Sequence, residues 1–122
     1  PISDVLDIFN SNVVKVVTNS SKHAMYFSRA PMPFDRDEFS SKSVDNINMS
    51  DLSSVYLRHI GIYGYRAGFV RQYESMAATQ LEKTESLEQL RVLWHGHVMH
   101  VDVAKHAPPH GVDTPEDLQK FQ

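Results

Sequence analysis

Asn12-Val13-Val14-Lys15-Val16-Val17-Thr18, then Asn19-Ser20-Ser21-Lys22, then Ala24-Met25-Tyr26-Phe27-Ser28: these three consecutive blocks decide the fold. The first is β-branched and reads as a buried strand, because branched side chains pack well on a pleated surface. The second is a turn, since Asn and Ser side chains bond their own backbone two residues on. The third is the hairpin partner. Pro31 and Pro33 lack an amide hydrogen and restrict the residues before them, so the ladder stops by Ala30 and the chain runs extended and irregular to Asp37.

Outward from this hairpin the signals alternate in type. Val5-Leu6-Asp7-Ile8-Phe9 is amphipathic. From Ser40 to Ser54, Ser, Asn and Asp dominate without a period, which predicts a long, mobile surface loop over 40–54. Leu57 to Arg66 alternates as a strand, with His59, Gly61, Tyr63 and Tyr65 on one face and Ile60, Ile62 and Gly64 on the other. Ala67 to Ser75 suits a short helix. Leu81 to His95 predicts one continuous helix whose Leu87, Leu90, Leu93 and Trp94 form a stripe, with Glu85, Glu88, Gln89 and Val92 roughly opposite. Val98 to Ala104 alternates as a strand, Pro108-Pro109-His110-Gly111 breaks it, and Thr114-Pro115-Glu116-Asp117 opens a terminal helix with Thr114 as its cap. Strands interleaved with helices predict an α/β layer structure.

Composition narrows the class. At 122 residues the chain suits one domain, and with 41% hydrophobic and 22% charged residues it can build a core and is not a disordered polyelectrolyte. A net charge of −3 with interleaved signs argues against a nucleic-acid partner, which draws a basic stripe. No apolar run approaches the roughly 20 residues of a membrane span, and the N-terminus lacks the basic and apolar regions of a secretion signal. With no cysteine, disulfides and thiolate chemistry are excluded, which suits a reducing compartment. The expectation is a soluble, cytoplasmic protein, and a chain starting at Pro1 points to processing or truncation.

Several polar residues could carry chemistry. Arg29 offers a guanidinium fork that suits a carboxylate or a pair of hydroxyls. Arg36, between Asp35 and Asp37, reads first as a surface salt-bridge cluster. His59 and Tyr63 share a strand face with Gly61 between them, leaving room for a ligand or, equally, making a buried and satisfied pair. Glu88 and Gln89, with Glu85 a turn earlier, could read hydroxyls. Asp113, beside a helix start, is a hard oxygen ligand for a cation or a capping group for that helix. Five histidines late in the chain, His95, His97, His100, His106 and His110, lack the His-Glu-x-x-His spacing of a zinc helix and predict no metal site.

Taken together, Asn12-Val13-Val14-Lys15-Val16-Val17, Tyr26-Phe27-Ser28-Arg29-Ala30-Pro31, Asp35-Arg36-Asp37, Leu57 to Phe69, Glu85 to Leu93 and Gly111-Val112-Asp113-Thr114-Pro115-Glu116-Asp117-Leu118 resemble, in order and spacing, the second half of bacterial CMP-Kdo synthetases, the 3-deoxy-manno-octulosonate cytidylyltransferases. The resemblance covers nearly the whole chain. It implies a nucleotide-diphosphosugar-transferase-like α/β fold, Rossmann-like with a mixed sheet, usually in a homodimer. It also implies a reaction in which the 2-hydroxyl of Kdo attacks the α-phosphate of CTP and releases pyrophosphate, as a step towards lipopolysaccharide. Carried over by position, Asp113 is the catalytic, magnesium-binding aspartate, and Arg29, His59, Tyr63, Glu88 and Gln89 contact the sugar. The late histidines receive no role.

Two family features are not found in these residues: the basic Gly- and Pro-containing loop that holds the CTP phosphates, and the Gln-Gly-Asp-Glu-Pro segment that supplies a second magnesium aspartate. The loop from Ser40 to Ser54 is also longer than is typical. The chain is therefore expected to supply the sugar-binding and dimer-forming portion, to need an N-terminal half, and to be inactive alone, because half a site cannot align CTP for in-line attack. Two other readings stay open: a cytidylyltransferase for another 2-keto sugar acid such as an acylneuraminate, and a non-catalytic interaction module that keeps the fold and the dimer surface.

Overall fold

The computed structural model describes residues 1–53, 55–61 and 67–104. In chain order its elements are α1 (Val5–Phe9), β1 (Lys15–Thr18), β2 (Ala24–Ser28), α2 (Arg36–Ser41), two 3-10 turns (Val44–Asn46 and Met49–Asp51), β3 (Leu57–Arg58), α3 (Ala67–Ser75), α4 (Gln80–Glu85) and α5 (Leu90–Trp94). The described strands form one antiparallel sheet, ordered β2-β1-β3.

The hairpin forms as its residues require. Lys15 pairs with Ser28, Val16 with Phe27 and Val17 with Tyr26, and a bulge then brings Thr18 opposite Ala24. Asn19 makes the turn: its side-chain oxygen accepts from the amides of Ser21 (2.9 Å) and His23 (3.1 Å), and Lys22 turns the chain at φ 62°. β3 joins the other edge of β1, pairing Leu57 with Val16 and Arg58 with Lys15.

Two apolar clusters flank this hairpin. One gathers Ile2, Val5, Ile8 and Val13 with Ile47 and Tyr56. The other puts Val16, Ala24 and Phe27 of the sheet against Leu87 and Leu90. Ile8 and Leu90 are fully buried, and burial of each contributes about 2 kcal/mol. Short helices need their caps. Asp4 caps α1 through the Leu6 amide (2.9 Å), and Asp35 caps α2 through the Glu38 amide (3.1 Å).

Four expectations change. The predicted helix from Leu81 to His95 is two helices, because Ser86 adopts a left-handed conformation (φ 55°) that ends α4. The stripe changes with it: Val92, placed opposite Leu90 by a continuous helix, is buried at 1% exposure, while Trp94 is 62% exposed. The predicted strand from Val98 to Ala104 forms only an isolated bridge between His23 and His100, with Ala24 N donating to Met99 O and Val101 N to Lys22 O. The loop over 40–54 is not purely a surface feature, because Ile47 and Leu52 turn inward and are buried. Of the strand predicted from Leu57 to Arg66, only Leu57–Arg58 has strand pairing among the described residues, and residues 62–66 lie outside them. The Pro108 to Gly111 break and the helix predicted from Thr114 also lie outside the described residues. The short helix predicted over Ala67–Ser75 is α3.

Candidate functional site

The polar centre of the molecule is built where the end of β2 meets the link between α4 and α5. Lys15 points inward from β1 and is fully buried. Its ammonium donates to three backbone carbonyls, those of Asn10 (2.9 Å), Val13 (2.5 Å) and Arg29 (2.7 Å), which matches its three N–H groups. Burial pushes its pKa down to about 8; the nearby Arg29 charge adds to this, while Glu85 and Asp7 oppose it.

Arg29 follows β2 and reaches across to the helix link. Its Nε donates to Glu85 O (2.7 Å), one Nη to Ser11 O (3.0 Å) and the other to Ser86 O (3.2 Å). Of the five N–H groups a guanidinium carries, these bonds use three. The Arg29 amide meets the Glu85 carboxylate at 3.4 Å, and that carboxylate also hydrogen-bonds the Tyr26 hydroxyl. Burial first, and then Glu85, raise the Tyr26 pKa. Arg29 and the Glu85–Ser86 link thus hold each other.

Glu88 and Gln89 follow two residues on, at the start of α5. Glu88 is exposed, and Gln89 is the residue before the helix, with a buried Nε2 that has no hydrogen-bond partner. An amide donor left unmet in this way costs about 1–3 kcal/mol unless something supplies an acceptor. Glu82, at the other end of α4, is buried and held in a fork by Arg91 at 2.7 and 2.9 Å. It also completes a capping box with Thr79. The Arg91 hydrogen bond is the main reason the Glu82 pKa lies below its usual value.

His59 is placed separately. Its amide donates to Val14 O (2.8 Å), and its ring stands edge-on to Phe27 with centroids 5.1 Å apart. It lines a cavity of about 170 Å³ together with Val16, Leu57, Met99 and Val101. Burial lowers its pKa, so at neutral pH the ring is uncharged, with one donor and one acceptor nitrogen.

The structure therefore brings Arg29 onto the segment that carries Glu88 and Gln89, whereas the cavity that holds His59 is lined by none of these three. Arg36 pairs with its neighbour Asp37 at 3.1 Å, both largely exposed, which is the surface cluster its sequence suggested. Tyr63 and Asp113 lie outside the described residues. His95 meets Ala77 O at 3.1 Å, His97 packs edge-on to Phe69 and His100 pairs with Asp102 at 3.0 Å. Among the described residues no group of three or more His, Asp or Glu could hold a metal. None of their helices is long and apolar enough to cross a membrane.

Two polar devices escaped the sequence reading. The Thr79-x-x-Glu82 spacing was a legible signal for a capping box. Lys15 was signalled only by being the one charged residue within a β-branched run.

Comparison with known proteins now assigns the family. A family model described as "Cytidylyltransferase" matches residues 1–103. The chain is 54% identical over 123 residues to a 3-deoxy-manno-octulosonate cytidylyltransferase of Actinobacillus succinogenes, covering 99% of this chain and 48% of that protein. It is 52% identical over 120 residues to the enzyme of the same name from Pseudoalteromonas atlantica, covering 98% and 46%. It spans about half the length of these curated relatives. A solved structure of CMP:2-keto-3-deoxy-manno-octonic acid synthetase complexed with CTP superposes with a TM-score of 0.72 at 35% identity, over 97% of this chain and 43% of that one. The α/β, nucleotide-sugar-transferase-like fold is thus shared, and this chain belongs to the cytidylyltransferase family.

Proposed function

We propose that this chain is the sugar-acid-binding portion of a 3-deoxy-manno-octulosonate cytidylyltransferase. The observation that carries the reading is identity above one half to relatives of that name over nearly every residue of the chain. The solved relative in complex with CTP supports CTP as the second substrate. In the reaction the Kdo 2-hydroxyl oxygen forms a bond to the α-phosphorus of CTP, the bond from that phosphorus to the bridging oxygen breaks, pyrophosphate leaves and the hydroxyl proton is released.

The geometry suits binding and orientation rather than covalent chemistry. Arg29 has two N–H groups beyond its three backbone bonds, enough to take a sugar carboxylate while its other side stays anchored. Gln89 holds a buried amide nitrogen without an acceptor, and the exposed Glu88 beside it can accept from a sugar hydroxyl. His59, whose pKa burial lowers, lines the neighbouring cavity without adding charge. Tyr63 joins this reading through its position in the sequence alone. So does Asp113 as the magnesium ligand. The described residues offer no metal site of their own. A homodimer is part of the same proposal.

The direct test is calorimetric titration of Kdo into the chain, followed by a pyrophosphate-release assay with CTP, Kdo and magnesium after adding the N-terminal half of a relative. Kdo binding, and turnover that appears only with the added half, is the expected result. Absence of both would overturn the reading in favour of an interaction module, and a preference for an acylneuraminate would change the substrate but not the chemistry.

A further inference from the structure

We propose that Lys15 is a positioning residue for the sugar-acid site: its caged ammonium holds the Arg29 peptide in the orientation that lands the guanidinium on the Glu85–Ser86 link. The assignment rests on the reading of Arg29 as a sugar contact given above. Three observations meet at Arg29. Its carbonyl accepts from Lys15 at 2.7 Å, its amide faces the Glu85 carboxylate, and its guanidinium returns to the carbonyls of Glu85 and Ser86. The arginine is thus held at both faces of its peptide and at its tip. An apolar residue could fill the place of Lys15 at the start of β1, so packing alone does not account for an ammonium at full burial, where desolvation is costly. What an ammonium adds is direction: three donors on three carbonyls, two from the Asn10–Val13 turn and the third from Arg29 beyond β2.

The charged groups that face Lys15 are Glu85 from the end of α4, Arg29 beyond β2 and Asp7 from α1, with the Tyr26 hydroxyl reaching it through Glu85. Desolvation by burial outweighs the two carboxylates and, with the Arg29 charge, leaves the ammonium able to lose a proton near pH 8. A neutral amine has two N–H groups for three carbonyls and turns a lone pair towards the third. Arg29 should then lose part of its grip as pH rises through that value. The folding contribution has the opposite sign. A lysine whose folded pKa is depressed binds fewer protons folded than unfolded between about 8 and its ordinary 10.5, so its stability contribution improves with pH across that window. Arg29 ordering falling while stability rises is a signature that a purely structural lysine does not produce.

The test is a titration of the ¹⁵N-labelled full chain from about pH 6.5 to about pH 9.5, a range that brackets the depressed lysine. It follows Lys15 Nζ and the Arg29 Nε–H signal, the latter assigned by its disappearance in Arg29→Lys. The expected result is a shared inflection near 8, with Lys15→Met abolishing the Arg29 inflection and speeding its solvent exchange about tenfold, the loss that one hydrogen bond would cause. An Arg29 signal that stays flat while Lys15 titrates in the unmodified chain overturns the proposal, and this outcome stands even where Lys15→Met fails to fold. Kdo added to the same samples separates the two readings. Affinity falling about tenfold through the inflection is expected from one weakened contact. No Kdo binding with the inflection intact removes the sugar-site role of Arg29 and leaves its coupling to Lys15.

Discussion

Around α1, the cluster of Ile2, Val5, Ile8, Val13, Ile47 and Tyr56 is closed by apolar and aromatic side chains, whereas at the edge of that cluster, where the chain passes from α1 to β1, the buried Lys15 ammonium is caged by the carbonyls of Asn10, Val13 and Arg29, and Arg29 reaches on to the Glu85–Ser86 link. The first is held by area removed from water, a force without direction that many side chains of similar volume can supply. The second is a set of groups that must be met atom for atom, and it is the second that holds Arg29. The contrast teaches where this chain tolerates change. Among the apolar side chains packed on α1 a substitution is felt as volume, and around the Lys15 ammonium it is felt as orientation and protonation.

The sharpest way to break the contrast is Ile8→Ala. A fully buried isoleucine lost from the apolar cluster should cost about 3 kcal/mol, equally at pH 6 and 8, read by urea denaturation; a strong pH dependence would deny the cluster its apolar character. Thr79→Ala should cost less, about 1 kcal/mol, as a lost helix cap, with the loss visible in the melting temperature. Smaller again is the acid response of the polar region. The Glu82 carboxylate, held below its ordinary 4.5 chiefly by Arg91, contributes stability above that value and loses it as pH falls through the folded pKa. Glu82→Gln should flatten the stability profile below about 4.5, and an unchanged profile would mean the fork is not formed in solution. Arg36→Ala should leave the melting temperature unchanged, since its pair with Asp37 is open to solvent.

What could be read in advance follows the range of the forces involved. The hairpin was legible because its strand residues, its Asn19 turn and its proline stops are all local. The α/β class and the short helix over Ala67–Ser75 followed from periodicity in the same way. The break at Ser86 was not legible, because the carbonyls there are claimed by an arginine more than fifty residues earlier in the chain, with sequence separations of 56 and 57. Ile47 and Leu52 escaped because their spacing of five matches neither a strand nor a helix, so a loop composition hid two anchors. Of the candidate site, Arg29 and the Glu88–Gln89 pair could be named through the family resemblance, but not that the protein grips Arg29 on three carbonyls, nor that the Lys15 ammonium is caged beside it, because those bonds join segments far apart in the chain.

The left-handed residue at Ser86 has a consequence for how this segment can vary. In an unbroken helix the Glu85 and Ser86 carbonyls would each be taken by the amide four residues on, and neither would be open to a side chain from another strand. The interruption converts two routine helical acceptors into a socket, and it fixes the number of residues between that socket and α5. One residue inserted or deleted between Ser86 and Leu90 would swing the start of α5 by about 100° and carry Glu88 and Gln89 round to a different side. Length, more than composition, is therefore the property of this link that a working version of the chain has to keep, and substitutions there should be tolerated far more often than insertions.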